Sequence, residues 1–112
     1  MNQAKTKPLS LGQKQELFSE LIAKLITYMY SKGYKVRCGD FFAKPRNPPE
    51  HKINPPSQHY NKCAADLNLF MGGKFLDKTE DHKEFGAYWE SLHPLCRWGG
   101  RYNDGNHYEL IP

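Results

Sequence analysis

The sequence predicts a small α+β domain, and three observations carry that prediction. Apolar residues recur every three or four positions from Leu11 to Met29, and again from Phe85 to Leu92. Between these two helical patterns, residues 63–70 (CAADLNLF) alternate in the manner of a buried strand. The chain has 112 residues, enough for one domain with a modest core. Residues 1–9 read as a flexible tail and residues 10–112 as the domain.

The first helix opens at Ser10, a good N-cap, and stops at Gly33. Leu11, Leu17, Phe18, Leu21, Ile22, Leu25, Ile26 and Met29 form one apolar face, suited to packing on a sheet. Residues 34–38 read as a short strand. Residues 43–58 hold five of the eight prolines, which rules out helix and central strand there. A long irregular loop inside a small domain is usually either functional or disordered, and because this one leads straight to His59 it reads as a loop bordering the site. In the strand 63–70, Asp66 and Asn68 fall on one face and Leu67 and Leu69 on the other. Gly72-Gly73 turns the chain. Thr79 or Asp81 can cap a second helix running to about His93, with Phe85, Tyr88, Trp89 and Leu92 inward and Pro94 beyond its end. Trp98-Gly99-Gly100 opens a glycine-punctuated segment, and residues 107–111 form a last short strand. No internal repeat or second domain is present in the sequence.

Bulk properties exclude several classes. Lys and Arg number 16 and Asp and Glu 12, for a formal charge of +4. The basic residues are scattered, so nucleic-acid binding is not expected. Mild positive charge also suits any polyanionic surface, a bacterial wall included, and ordinary solubility accounts for it as readily. Cys38, Cys63 and Cys96 are odd in number, widely spaced and free of any CxxC pair, which argues against a disulfide framework or a thiolate zinc site. All three read as small buried hydrophobes in a reducing compartment. Met1 to Gln15 is polar, which is not a signal peptide, and no segment approaches a membrane span. The expectation is a monomer made in the cytoplasm, with no membrane insertion.

The chemistry-bearing residues lie in two short segments. His59 is followed seven positions later by Asp66, and Asp104 precedes His107 by three. Two histidines and a carboxylate make a three-ligand zinc set with a fourth position open, as in a catalytic centre holding one zinc. A carboxylate within an apolar strand is costly unless it is paired or bound to a metal, which is a physical reason to place Asp66 in the set. A buried salt bridge is the rival account of Asp66. Asp104 is placed to act as base on a zinc-bound water and then pass the proton to a leaving amine. His51, His82 and His93 read as surface or cap residues, with His93 the one rival ligand. Ser57 lacks a base partner and reads as a residue that hydrogen-bonds a ligand or the loop backbone.

Ser57-x-His59, Ala64-Ala65 before Asp66, the run Asp66-Leu67-Asn68-Leu69-Phe70, and Trp98-Gly99-Gly100 with Asp104-x-x-His107 together resemble one family. It is the D-Ala-D-Ala carboxypeptidase and L-alanyl-D-glutamate endopeptidase family of zinc peptidases, especially the small endolysins of bacteriophages. The resemblance spans residues 34–111. It implies an antiparallel sheet carrying the zinc site, His59, Asp66 and His107 as ligands, Asp104 as catalytic acid/base, and Ser57 as the serine preceding the first ligand. The implied activity is hydrolysis of the peptide stem of peptidoglycan, of the L-Ala-D-Glu endopeptidase or D-Ala-D-Ala carboxypeptidase type. Without a signal segment, such an enzyme would reach the wall after the membrane is breached.

One departure from the family concerns an arginine that commonly follows a Gly-Asp or Gly-Glu pair and stabilises the oxyanion or a substrate carboxylate. Gly39-Asp40 is present, but the expected place near Ala43 is apolar. Arg46, Lys44 or Arg37 could substitute, with Arg46 favoured for its planar fork. Two other functional classes compete. One is a non-catalytic zinc-containing wall-binding module, against which Asp104 argues. The other is a basic nucleic-acid-binding protein, suggested by the interleaved aromatic and basic residues from Tyr28 to Lys35.

Overall fold

The computed structural model describes residues 8–41 and 61–112. It has two helices and a five-stranded antiparallel sheet, the α+β class expected. Helix α1 spans Leu11–Ser31. The Ser10 hydroxyl accepts from the Gln13 N–H at 3.1 Å and the Gln13 side chain accepts from the Ser10 N–H at 2.9 Å, a reciprocal capping box. Gly33, at φ +93°, ends the helix in a conformation that other residues rarely adopt. Phe18, Leu21, Ile22, Leu25 and Met29 are buried, whereas Leu11, in the first turn, is exposed.

Strand β1 (Lys35–Cys38) pairs antiparallel with the second half of β2 (Ala64–Met71), with Arg37 opposite Asn68. Gly72 and Gly73 both have positive φ and join β2 to β3 (Lys74–Leu76) through a two-residue hairpin. Two successive positive-φ residues are what a type I′ turn needs. A 3₁₀ turn, Thr79–His82, leads into helix α2 (Lys83–Leu92). Strand β4 (Cys96–Trp98) and strand β5 (His107–Leu110) complete the sheet, in the order β1-β2-β5-β4, with β3 also on β2. The Asp66 N–H donates toward Asp40 and the Leu67 N–H toward Asn106, so β1 and β5 lie on opposite edges of β2.

Both helices cover one face of the sheet. Ala65, Leu67 and Leu69 of β2, Tyr108 and Leu110 of β5, and Cys96 of β4 join Phe18, Leu25, Met29, Phe85 and Trp89 in a single core. The Trp89 indole N–H donates to the Glu109 carbonyl at 3.0 Å, which ties α2 to β5 without leaving a buried donor unpaired. By the two-residue period of a strand, Asp66, Asn68, His107, Glu109 and Arg97 project from the opposite face. Among the described residues, no helix is long and apolar enough to cross a membrane.

All three cysteines are free thiols, but only two match the expectation of burial: Cys63 and Cys96 are buried, and Cys38 is exposed. Cys38 ends an edge strand, beyond the cover of the helices. Burial, and then the Glu90 charge, push the Cys96 thiol up to about 12, so it is inert at neutral pH.

Candidate functional site

The face of the sheet opposite the helices carries a polar line across three strands. Asp66 of β2 is the register partner of His107 of β5, and Glu109 of β5 is the partner of Arg97 of β4. His107 Nδ1 lies 3.2 Å from Asp66 Oδ1, and His107 Nε2 lies 2.7 Å from Glu109 Oε1. The other Glu109 oxygen, Oε2, accepts from both Nε and Nη2 of Arg97. The side chains of His107 and Glu109 are largely shielded from solvent, at 14% and 11% exposure, and that of Asp66 is 27% exposed.

Burial alone would lower the His107 pKa. Hydrogen bonds to Asp66 and Glu109, and the charges of both carboxylates, outweigh it and lift the metal-free imidazole to about 9. Glu109 shows the converse. Burial would raise its pKa, but the hydrogen bonds and charges of His107 and Arg97 hold it below the usual carboxylate range.

Asp104 precedes β5 on a tightly held loop. It follows a 3₁₀ turn, Gly99–Tyr102, and Asn103 at φ +59°. The Asp104 N–H donates to the Gly99 carbonyl at 3.0 Å, and its carbonyl accepts from the His107 N–H at 3.1 Å. The next residue is clamped twice. Trp98 Nε1 donates to the Gly105 carbonyl at 2.7 Å, and the Gly105 N–H donates to Thr79 Oγ1 at 3.1 Å. The Trp98 ring lies between Gly86 and Gly100, and a Cβ on either glycine would collide with it. The motif Trp98-Gly99-Gly100 thus fixes the backbone that presents Asp104 and His107. The Asp104 side chain is itself exposed.

Beside Asp104 lies a polar cleft of about 150 Å³, lined by Asn68, Asp77, Thr79, His82, Asp104 and Asn106 among others. Asn106 Nδ2 donates to Asn68 Oδ1 at 3.0 Å, bridging β2 to the loop before β5. His82 corrects an expectation. It holds the N-cap position of α2 but makes no capping bond with its side chain, and it is buried at 2% exposure rather than at the surface. Its Nδ1 lies 2.7 Å from the Tyr108 hydroxyl. Burial lowers its pKa to about 4, against a smaller opposing effect of Asp81, so it is neutral at pH 7. His93 is not near the polar line by any described bond; its Nδ1 accepts from the Leu95 N–H at 3.1 Å at the end of α2.

Of the expected site residues, Asp66 and His107 come together, with Asp104 on the loop leading into His107. His59, Ser57, Arg46 and Lys44 lie outside the described residues, as do His51 and the proline-rich segment. Arg37 is on the correct face, but its guanidinium lies over the Phe70 ring, 4.1 Å from the centroid. Phe70 is four residues beyond Asp66, about 13 Å along a strand. Arg37 is therefore directed away from the Asp66–His107 pair. Sequence reasoning missed Glu109 and Arg97. The available signal for Glu109 was its place two residues after His107, which puts both on one face of a strand.

The donor set fits zinc as far as it is described. Two ligands at 2.0–2.2 Å from a tetrahedral zinc are separated by about 3.4 Å, close to the 3.2 Å between His107 Nδ1 and Asp66 Oδ1. The second ring nitrogen of His107 is already engaged by a carboxylate, the usual arrangement of a ligating histidine. Among the described residues, no group of three His, Cys, Asp or Glu is placed to hold a metal, so a complete site needs a further ligand such as His59. Tyr28, central to the nucleic-acid alternative, stacks on Tyr88 with ring centroids 3.9 Å apart and has Lys32 above it. Comparison with known protein families and with curated proteins finds no match.

Proposed function

We propose that this protein is a zinc-dependent peptidase acting on the peptide stem of bacterial peptidoglycan. The observation that supports it most is the cross-strand pair of Asp66 and His107, with Nδ1 and Oδ1 3.2 Å apart on the face of the sheet opposite the helices. His59, Asp66 and His107 would hold one zinc. When bound, the metal would supply a Lewis acid that acidifies water and polarises a scissile carbonyl.

The remaining chemistry belongs to the chain. Asp104 accepts the proton of the attacking water on a carboxylate oxygen and returns it to the leaving amine nitrogen. Its loop is anchored by Trp98, Thr79 and Gly99, so the carboxylate is delivered from a rigid base. A cation from residues 43–58, Arg46 ahead of Lys44, shares the negative charge of the tetrahedral state. The peptidoglycan stem as substrate rests on the motifs in residues 57–70 and 98–110.

The test is mass analysis of purified peptidoglycan after digestion, with and without a chelator. New stem-peptide ends that appear only without chelator support the reading. Intact peptidoglycan in the presence of zinc-loaded protein contradicts it.

A further inference from the structure

We infer that Glu109, anchored by Arg97, is the residue that presents His107 to the metal in the correct tautomer. This rests on the reading that Asp66 and His107 are zinc ligands. A neutral imidazole carries one proton and can put it on either nitrogen. Only the form with the proton on Nε2 leaves the Nδ1 lone pair directed to the Asp66 side. Glu109 Oε1, 2.7 Å from Nε2, is an acceptor that selects that form.

Three features make this a built arrangement. His107 and Glu109 are two residues apart on β5, so the strand pleat sets both on one face. Arg97 is opposite Glu109 in the β4–β5 register and occupies Oε2 with two N–H groups, leaving Oε1 for the imidazole. Glu109 is 8% exposed, so its carboxylate has lost most of its water and depends on these two partners. Arg97 therefore balances the charge of Glu109 and fixes its rotamer, while Glu109 fixes the ring plane of His107. Neither residue needs to touch substrate; both act as positioning residues.

The rival role is a buried ion-pair network that serves stability alone. Zinc affinity separates the two. The full chain, freed of metal and reloaded, is titrated with zinc against a competing chelator, for wild type, Glu109→Ala, Glu109→Gln and Arg97→Ala. Circular dichroism of the chelated proteins checks the fold. Loss of the partner of a ligating histidine weakens metal binding by about 10–100-fold. Glu109→Ala is expected to fall in that range. Glu109→Gln, which keeps an oxygen to accept from Nε2–H, should recover part of the loss, and Arg97→Ala should show a smaller one. If Glu109→Ala does not fold, Glu109→Gln decides, with weaker zinc binding expected. Wild-type affinity in the folded Glu109 variants overturns the positioning role while leaving the zinc site intact. A wild type that binds no zinc overturns both.

Discussion

The Trp98 indole fills a slot whose floor is Gly86 of helix α2, with no room for a Cβ between them. The same ring bonds the Gly105 carbonyl, one residue from Asp104. Packing of α2 on the sheet and placement of Asp104, the proposed acid/base, are therefore one mechanical unit. Gly86→Ala should push Trp98 out and cost about 1–3 kcal/mol, the usual cost of overpacking. Thermal unfolding would measure this, and peptidase activity should fall with it. Unchanged stability would mean that the slot can relax.

Asp104→Asn should keep the fold and the bound zinc and lose about 10²–10⁴-fold in activity, the range of general acid–base catalysis. Asparagine preserves shape but cannot take a proton. Zinc content and turnover measured on the same sample check it. Wild-type turnover would move the base elsewhere.

Arg37→Ala should leave peptidase activity nearly unchanged, because its guanidinium rests on Phe70. Arg46→Ala should lower activity by roughly 10²-fold, the scale of losing one oxyanion donor. Steady-state rates for the two variants side by side decide. A fully active Arg46→Ala with an inactive Arg37→Ala would reverse the assignment.

His82 predicts an acid weakness. Its pKa in the folded protein is about 4, below the ordinary 6.5. The unfolded chain therefore binds the proton first as pH falls. The stabilisation is complete above about 6.5 and is lost as pH drops toward 4, by on the order of 3 kcal/mol. Urea unfolding of wild type and His82→Gln at pH 7 and pH 4.5 tests this. The variant should lose less stability over that interval. Equal losses would place the acid sensitivity in other groups.

Much of the frame was legible because it obeys simple periods. The α1 face, the Ser10 cap, the Gly33 stop and the alternation of Asp66 and Asn68 against Leu67 and Leu69 all follow from local chemistry. Strands β3 and β4 were not legible, since each has three residues, too few to show alternation. His82 looked like a polar residue at a helix start, and its burial depends on a Tyr108 hydroxyl 26 positions away. Glu109 falls in the final short strand, and nothing local marks it as buried. Its burial becomes affordable only when β4 brings Arg97 alongside, a pairing that no local pattern announces. The pair Asp66 and His107 could be guessed from residue type, but their contact needed the β2–β5 register.

The central claim is that Asp66 and His107 are two ligands of one catalytic zinc. The most direct test is metal analysis of purified wild type beside Asp66→Ala and His107→Ala, with folding checked by circular dichroism. The account predicts one zinc per wild-type chain and strong depletion in both folded variants. Full zinc occupancy in either variant, or a wild type that takes up no zinc, would contradict it.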